Sequence, residues 1–468
     1  MKRPNILLIY TDQLRWDALG CNGNPDVQAP NLDALAEQGT NFSHCFVQNP
    51  LCMPSRASFL SGQYPSALGI THMGVPVPED VPVLPHYLSP AGYETANIGK
   101  LHFLPHANRD HREPHPSYGF DALEVSDEPG VYEDAYRAWA RARDPQQLKH
   151  LSVGLPPATH TWYETMGITD TVKHPGKGER WDFGGAVAFP GEDDFTHSAF
   201  VAERSKAFLK RQDGRQPFLC VASFYSPHAP WVAPQRFLDL YDPESFTLPE
   251  FPAELRAERA KHHATESHLR AARHGYYAMI SEVDYYVGTL LDTLEAQGLK
   301  DNTLIVFTSD HGDWLGEHLR YGKGEPGDDA VTRVPLLISG PGVAAGRGVS
   351  DLVEAVDVLP TLLEAAFLQV PPALQGQSLQ PLLRAESGWR PKPALTEFTR
   401  WKALRTERHR YYVNASGEEK LWDLAKDPQE YQDVSKDEAY QDVLARHRLE
   451  LLQKLLFLER PLPRVWPY

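Results

Sequence analysis

The chain has 468 residues, 41% of them hydrophobic and 23% charged, which is enough for a large folded body with a smaller appendage. Its 46 Lys and Arg residues stand against 62 Asp and Glu residues, for a formal net charge of −16. This balance excludes broad contact with nucleic acid or with an anionic membrane surface, so an anionic substrate would need a locally positive site.

The N-terminus, MKRPNILLIYTDQ, carries positive charge ahead of an apolar run, as a signal peptide does. The run is only about six residues long, too short for the apolar region of such a peptide, and polar Thr11 and Asp12 follow it. It predicts a first β-strand instead. No later segment approaches the ~20 apolar residues that cross a bilayer, so we expect a cytoplasmic protein with no membrane partner.

Four nearly continuous apolar runs, 5–10, 217–225, 302–310 and 334–340, predict buried parallel strands. Between the second and third runs, apolar residues recur every three or four positions, which predicts a long amphipathic helix. Its apolar residues are Tyr276, Ile280, Val283, Val287, Leu290 and Leu294. The alternation predicts an α/β fold with helices on both faces of the sheet and ligands outside the carboxyl ends of the strands.

Two regions depart from this alternation. Residues 103–195 are rich in His, Pro, Gly and charge, which predicts a set of inserted loops that carry specificity. After about residue 375, short polar strands and a helix over 436–457 predict a small α+β subdomain with a short sheet. We therefore expect a main domain over 1–375 and a C-terminal subdomain over 376–468.

Polar side chains follow two of the predicted strands at the point where each strand ends. Asp12 and Gln13 come directly after the first strand, and Asp310 and His311 come directly after the residues LIVFTS of the third run. Oxygen and nitrogen ligands that meet at one edge of a sheet can hold a divalent cation. Each acid alone could equally be a turn or helix-capping residue. Their joint occurrence favours a metal site.

The four cysteines, Cys21, Cys45, Cys52 and Cys220, form no CxxC pair, so the sequence predicts neither a zinc ribbon nor a redox dithiol. We expect no disulfides and assign all but Cys52 to the core.

Cys52 opens the segment CMPSRASFLSG. A thiolate phosphatase needs an arginine six residues after its cysteine, and position 58 is Ser58, which excludes that class. Arg56, with Pro54 before it and Gly62 closing the segment, predicts a helix that starts just after Cys52. Backbone N–H groups and the helix dipole favour negative charge at such a position.

This segment resembles the C-x-P-S-R-x-x-x-L-x-G signature of the type I sulfatases, a branch of the alkaline phosphatase superfamily. The resemblance extends in order through NILLIYTDQ, IGKLHF, SFYSPHAPW, TSDHGDWLGEH, YGKG, RVPLLISGPG, VDVLPTLLEAA and KLWDLAKDPQE, and so spans nearly the whole chain. It implies an alkaline-phosphatase-like sandwich: a large, mixed, mostly parallel sheet flanked by helices, plus a small C-terminal antiparallel sheet.

The resemblance also implies a chemistry. In this family a maturation enzyme, such as the formylglycine-generating enzyme, converts the cysteine to formylglycine (3-oxoalanine), an aldehyde that hydrates to a gem-diol. One hydroxyl attacks sulfur and expels the alcohol, and the other lets the intermediate collapse and release sulfate. Cys52 would therefore be the nucleophile, and the substrate would be a small sulfated sugar, aryl or alkyl compound.

Carried over position by position, the resemblance assigns a role to each matching residue. Arg56 would orient the gem-diol, His102 would hold its second hydroxyl, and His228 would be the general acid at the leaving-group oxygen. The sulfate would be neutralised by Lys100 and Lys323. The metal ligands would be Asp12, Gln13, Asp310, His311 and modified Cys52. Without the resemblance, the lysines would be read as solvated surface residues and the two histidines as loop residues.

Gln13 departs from most sulfatases, which have a second acid at this position. The amide can coordinate through its oxygen, but it removes one negative charge from the site. Oxygen-rich ligands favour Ca²⁺, while the histidine and the lower charge also suit Mn²⁺, with Mg²⁺ a further option.

The Asp-Gln form also resembles phosphonate monoester hydrolases and choline-sulfatase-like enzymes. The sequence therefore predicts a sulfate ester hydrolase and leaves two alternatives open. One is a phosphonate monoester or phosphodiester hydrolase on the same scaffold, and the other is a non-catalytic binding protein with an unmodified Cys52. No pattern in the sequence predicts an oligomeric state.

Overall fold

The structure, a computed structural model, describes residues 2–105, 114–131, 133–152 and 185–459. The strands of this part of the chain are β1 (Asn5–Asp12), β2 (Thr40–Phe46), β3 (Glu94–Gly99), β4 (Ala122–Val125), β5 (Val187–Ala188), β6 (Phe218–Pro227), β7 (Val232–Ala233), β8 (Thr303–Ser309), β9 (Arg333–Ser339), β10 (Arg347–Val349), β11 (Val353–Glu354), β12 (Ala394–Phe398), β13 (Trp401–Arg405), β14 (His409–Asn414) and β15 (Glu419–Asp423).

The α-helices of the same part of the chain are α1 (Pro30–Glu37), α2 (Cys52–Ser61), α3 (Pro65–Leu68), α4 (Leu84–Leu88), α5 (Ala135–Arg143), α6 (His197–Lys210), α7 (Gln235–Leu238), α8 (Ala253–Arg256), α9 (Glu266–Ala296), α10 (Asp329–Thr332), α11 (Val358–Ala365), α12 (Gln380–Leu383) and α13 (Gln441–Leu458). The long amphipathic helix predicted between the second and third runs is α9.

A nine-stranded sheet forms the centre of the molecule, in the order β10, β2, β9, β8, β1, β6, β3, β4, with β11 also paired to β2. Three of the four predicted strands, β1, β6 and β8, pair in parallel. The fourth, β9, was predicted to be parallel and is antiparallel to both β8 and β2. The chain leaves β8 at its carboxyl edge and returns beside it without crossing to the opposite edge, and such a return strand must run in reverse.

Helices cover both faces of this sheet, as predicted. Side chains of β1 alternate between two cores: Leu7 and Ile9 belong to the core under α6 and α9, and Ile6 and Leu8 belong to the core under α2 and α11. Because both faces are buried, the strand reads as a continuous apolar run. The polar residues that follow its end therefore lie at the rim of the sheet.

The C-terminal region contains a separate four-stranded antiparallel sheet, in the order β12, β13, β14, β15. The helix predicted over 436–457 is α13, Gln441–Leu458. The sheet abuts the main body where the Glu397 amide donates to the Gln48 carbonyl at 2.7 Å. The small α+β unit is therefore present, and its boundary after residue 375 stays a prediction.

The segment 103–195 contains more than loops. Its described residues supply β4, which is the edge strand of the main sheet, and helix α5. Residues 106–113, 132 and 153–184 of this segment lie outside the described residues. Over the four described ranges, no helix combines the length and the apolar character needed to cross a membrane.

Candidate active site

The ends of β1 and β8 meet at one edge of the sheet. Thr11 is paired in register with Ser309, so Asp12 and Asp310 leave neighbouring strands at the same level. One ligand atom each from Asp12, Cys52, Asp310 and His311 lies within 4.8 Å of the other three, and all four residues are buried. Residues from distant parts of the chain therefore form one cluster.

Cys52 is the first residue of α2 rather than the residue before it, and it is 1% exposed. Its Sγ lies 3.2 Å from His311 Nε2, 2.7 Å from Lys323 Nζ and 3.7 Å from Asp12 Oδ1. Burial raises the pKa of the thiol to about 11, with Asp12 adding to the effect and Lys323 opposing it. An unmodified Cys52 would therefore be a thiol, not a thiolate, at neutral pH.

Arg56 lies one helical turn after Cys52 and is 1% exposed. Its Nε donates to Asp310 Oδ2 at 2.7 Å, and its Nη1 donates to the Lys100 carbonyl and to Ser223 Oγ, each at 2.9 Å. These bonds fix the Asp310 carboxylate and the end of β3 against α2. The acceptors of these hydrogen bonds are residues around Cys52 and not the Cys52 side chain itself.

Lys100 follows Gly99, where β3 lies close to the backbone of β6. A Cβ on Gly99 would lie 1.9 Å from the Ser223 carbonyl oxygen, and its φ is +96°, so only glycine fits. The Lys100 ammonium, 1% exposed, lies 2.6 Å from Asp12 Oδ2. Burial by itself raises the pKa of Asp12, but Lys100 and the other nearby cations outweigh it and hold that pKa well below its usual range.

Lys323 and His228 face the cluster from the solvent side. Lys323 Nζ lies 2.9 Å from His311 Nε2 and 3.3 Å from His228 Nε2. His228 Nδ1 lies 2.5 Å from the Ala229 carbonyl oxygen, which assigns the ring proton to Nδ1 and turns Nε2 toward Lys323. Burial, reinforced by Lys323, lowers the pKa of His228 well below its usual value although Asp12 opposes the shift.

The cluster is thus an assembly of carboxylates, imidazoles and a sulfur atom surrounded by cationic side chains. The sequence model of the sulfatase family matches residues 4–367, and that of the C-terminal region of N-sulphoglucosamine sulphohydrolase matches residues 316–456. The chain belongs to the sulfatase family. It is a sulfuric ester hydrolase, and the resemblance to type I sulfatases of the alkaline phosphatase superfamily is confirmed.

Individual relatives agree with this assignment. Choline-sulfatase of Rhizobium meliloti is 31% identical over 93% of this chain and 83% of its own length. Arylsulfatase of Clostridium perfringens is 29% identical over 98% of this chain and 94% of its own. The crystal structure of the phosphonate monoester hydrolase of Agrobacterium radiobacter has a TM-score of 0.82 and 29% identity, and the match covers 98% of this chain and 96% of that one. The alkaline-phosphatase-like fold is therefore confirmed.

The donor atoms of this sulfatase fit a divalent cation. His311 Nδ1 lies 2.9 Å from the Gly312 carbonyl oxygen, so Nδ1 carries the proton and Nε2 is left as a ligand atom, the usual arrangement of a metal-binding histidine. Gln13 is 2% exposed, and its Oε1 accepts no hydrogen bond among the described residues. A buried acceptor without a donor is costly, and a cation would satisfy it.

The structure brings most of the predicted site residues of this sulfatase together. Contacts between side chains link Asp12, Cys52, Arg56, Lys100, His228, Asp310, His311 and Lys323. His102, two residues after Lys100, has a left-handed backbone conformation, and its amide donates to Asp127 Oδ1 at 2.7 Å. The role of its ring stays a prediction.

Two site-forming residues escaped the sequence interpretation. Ser223 accepts from Arg56, and Asp313 accepts from the Gln13 side chain. Asp313 carried a usable signal, because it stands two residues after His311 in the segment SDHGD. Ser223 carried none, because a serine inside an apolar strand has no distinguishing pattern.

Proposed function

We propose that this protein hydrolyses sulfate esters by S–O cleavage, with Cys52 in its formylglycine form as the nucleophile. The observation that carries the proposal is the convergence of Asp12, Cys52, Asp310 and His311 within 4.8 Å at the carboxyl edge of the sheet. The surrounding cations support it, because a sulfate ester is anionic and repels a nucleophile until its charge is neutralised.

Asp12, Gln13, Asp310, His311 and modified Cys52 would hold one divalent metal ion. We propose Ca²⁺, with Mn²⁺ and Mg²⁺ as the other options, because oxygen donors predominate. When bound, the ion supplies Lewis-acid stabilisation of charge on the sulfate oxygens.

The hydrated form of formylglycine, a gem-diol, would supply two hydroxyl groups on one carbon, one to attack sulfur and one to allow release of sulfate. The chain's own residues do the rest. Lys100 and Lys323 bind the sulfate oxygens and neutralise the charge that develops on them. Arg56 holds Asp310 and the end of β3 in place.

The general acid would be His228, whose Nε2 faces the cluster. Binding of an anionic ester favours its protonated form, so that Nε2 can donate a proton to the leaving alkoxide. His102 would accept the proton of the second hydroxyl during release of sulfate.

The test is turnover of an aryl sulfate by purified protein whose Cys52 peptide has been weighed by mass spectrometry. We expect release of inorganic sulfate in proportion to the fraction of formylglycine. A thiol at Cys52 in protein from the native host, together with no hydrolysis of any ester, would overturn the proposal in favour of a binding protein.

A second candidate function is hydrolysis of phosphonate monoesters or phosphodiesters. The likeness to the phosphonate monoester hydrolase of Agrobacterium radiobacter favours it. The same cations can neutralise a phosphoryl group, so the geometry alone supports both. Rates on matched aryl sulfate and aryl phosphonate substrates decide between them, and faster phosphonate turnover would replace our first choice.

The remaining proposals concern partners, location and organisation. The substrate would be a small sulfated sugar, aryl or alkyl compound, and a maturation enzyme would act on Cys52 before use. The cytoplasmic location and the division into 1–375 and 376–468 stay predictions. Fractionation of the native host tests the first, and limited proteolysis near residue 375 tests the second.

A further inference from the structure

Gln13 is held in an orientation that its own sequence neighbours do not explain. It follows β1 with a φ of 68°, a left-handed conformation that is uncommon outside glycine. Its backbone amide donates to Asp310 Oδ1 at 3.0 Å, and its carbonyl accepts from Tyr276 Oη at 2.6 Å. The backbone of Gln13 is thus fixed beside the metal-binding cluster, and only the side-chain amide remains to be oriented.

The Asp313 carboxylate binds that amide. Gln13 Nε2 donates to Asp313 Oδ2, and both residues are buried, with Asp313 0% exposed. An amide nitrogen can donate and the amide oxygen cannot, so a carboxylate selects the nitrogen. Gln13 Oε1 is therefore turned away from Asp313, and it accepts no hydrogen bond among the described residues.

The other oxygen of Asp313 is occupied by backbone groups. Oδ1 accepts from the Leu315 amide at 2.6 Å and from the Gly322 amide at 2.9 Å. The Gly322 carbonyl in turn accepts from the Trp314 amide at 3.0 Å. Because these two amides hold Oδ1, only Oδ2 of Asp313 faces Gln13. The bond to Gly322 also anchors the backbone directly before Lys323.

We propose that Asp313 is a positioning residue that directs the oxygen of the Gln13 amide toward the cation site and anchors the segment of backbone that carries Lys323. The inference rests on the proposed function, because it presupposes that the cluster holds a divalent cation. In this role, Asp313 determines that the oxygen of the Gln13 side-chain amide, and not its nitrogen, faces the cation site.

The variant Asp313→Asn isolates this role. Its oxygen can still accept from Gly322 and Leu315, which leaves Nδ2 facing Gln13. The Gln13 amide must then flip to accept with Oε1, so that Nε2 faces the cation. Because loss of such outer-shell partners weakens metal binding, we expect Ca²⁺ affinity to fall about 10- to 100-fold, measured by isothermal titration calorimetry.

The double variant Asp313→Asn with Gln13→Glu is the rescue. A carboxylate at position 13 accepts from the side-chain amide introduced at position 313 with one oxygen and offers the second to the cation. We expect the double variant to bind Ca²⁺ more tightly than Asp313→Asn, which is a coupling that independent sites do not show. The single variant Gln13→Glu places two carboxylates against each other and should bind more weakly than the double variant.

Asp284→Asn is the matched control. Asp284 is also buried. Its carboxylate accepts from the backbone amides of Asn31 and Leu32 and from the side-chain amide of Asn31. It belongs to α9, outside the cluster, so its variant should keep wild-type Ca²⁺ affinity. All proteins must have the same state of Cys52, checked by mass spectrometry.

The outcomes separate the two levels of inference. Wild-type protein that binds none of Ca²⁺, Mn²⁺ and Mg²⁺ overturns the proposed metal site and this inference with it. Wild-type binding with unchanged affinity in Asp313→Asn overturns only the role of Asp313. If Asp313→Asn does not fold, the comparison of Gln13→Glu with the double variant decides: Ca²⁺ binding by the double variant that is no tighter than that by Gln13→Glu would overturn the role of Asp313.

Discussion

Cys52 lies at the N-terminus of a helix, in contact with a lysine and two possible metal ligands, yet burial raises its thiol pKa to about 11. The positive surroundings do not compensate for the loss of hydration. A buried neutral thiol is a poor nucleophile, which agrees with a residue whose chemistry depends on modification. Two substitutions at this position test the proposed mechanism.

Cys52→Ala should abolish turnover while leaving the fold intact, because alanine favours helices and removes only the buried sulfur. The measurements are release of sulfate from an aryl sulfate and thermal unfolding followed by circular dichroism. Retained activity in this variant would contradict a nucleophile at position 52.

Cys52→Ser should attack once and then stop, because a single hydroxyl can form a sulfated enzyme but cannot collapse to an aldehyde. Mass spectrometry of the protein after exposure to an aryl sulfate should show the mass of a retained sulfate on the peptide with Ser at position 52. Sustained multiple turnover by this variant would argue against a gem-diol.

At the scale of elements, α9 packs against α6 through a buried carboxyl group. Glu282 of α9 is 1% exposed and accepts from Thr196 Oγ1 at 2.5 Å and from Ser198 Oγ at 3.1 Å. Burial raises its pKa to about 7, although the two hydroxyls oppose the shift. The pKa of Glu282 is therefore higher in the folded protein than the value of about 4.3 in the unfolded chain. The folded protein consequently loses stability as pH rises from about 4.3 through about 7.

Glu282→Gln should remove that penalty. At pH 5 we expect the variant and the wild type to differ little, whereas at pH 8 the variant gains up to about 3 kcal/mol relative to wild type. Thermal unfolding at both pH values measures this. Glu295→Gln, at an exposed position of the same helix, is the control. An equal difference from wild type at both pH values would show that Glu282 does not titrate between them.

At the scale of the whole molecule, the C-terminal sheet holds the segment that carries Lys323. Arg410 of β14 donates to the Gly327 carbonyl at 2.6 Å, and Tyr412 of the same strand donates to the Glu325 carboxylate. Trp401 packs on Gly327, where an added Cβ would lie 2.8 Å from its ring. The small sheet therefore anchors one side of the proposed substrate-binding lysine, as Asp313 anchors the other.

Tyr412→Phe should raise KM for an aryl sulfate by roughly fivefold, because loss of one hydrogen bond of about 1 kcal/mol loosens the Lys323 segment. Tyr411→Phe is the matched control, since the Tyr411 hydroxyl donates to Glu419 instead. Equal KM values in the two variants would show that the sheet contributes only stability. The measurement is steady-state kinetics with thermal unfolding alongside.

Much of the fold and the site could be predicted because the relevant information is local in the chain. An apolar run buried on both faces predicts a central strand, and an acid directly after such a run, as with Asp12 and Asp310, must lie at the rim. Parallel strands bring their ends to the same rim, so two such acids predict a shared site. The motif around Cys52 added the chemistry.

Other features depend on which segments become neighbours, and no local pattern encodes that. The apolar composition of β9 is the same for either direction, so its antiparallel pairing with β8 could not be read from the sequence. The role of Arg56 in orienting the gem-diol stays a prediction, and its hydrogen bonds to Asp310, Lys100 and Ser223 could not be foreseen from the sequence. The described part of 103–195 likewise includes an edge strand, because β4 completes hydrogen bonds that β3 leaves open.

The sequence by itself determined the α/β class, the rim at which the polar residues collect and the kinds of atom available there. The tertiary structure decided how those atoms are oriented. Gln13 and Asp313 are 300 positions apart, and the hydrogen bond between them selects which atom of the amide faces the cluster. Orientation is a property of contacts between distant segments, because hydrogen bonds depend on direction and distance, whereas composition and periodicity record only burial.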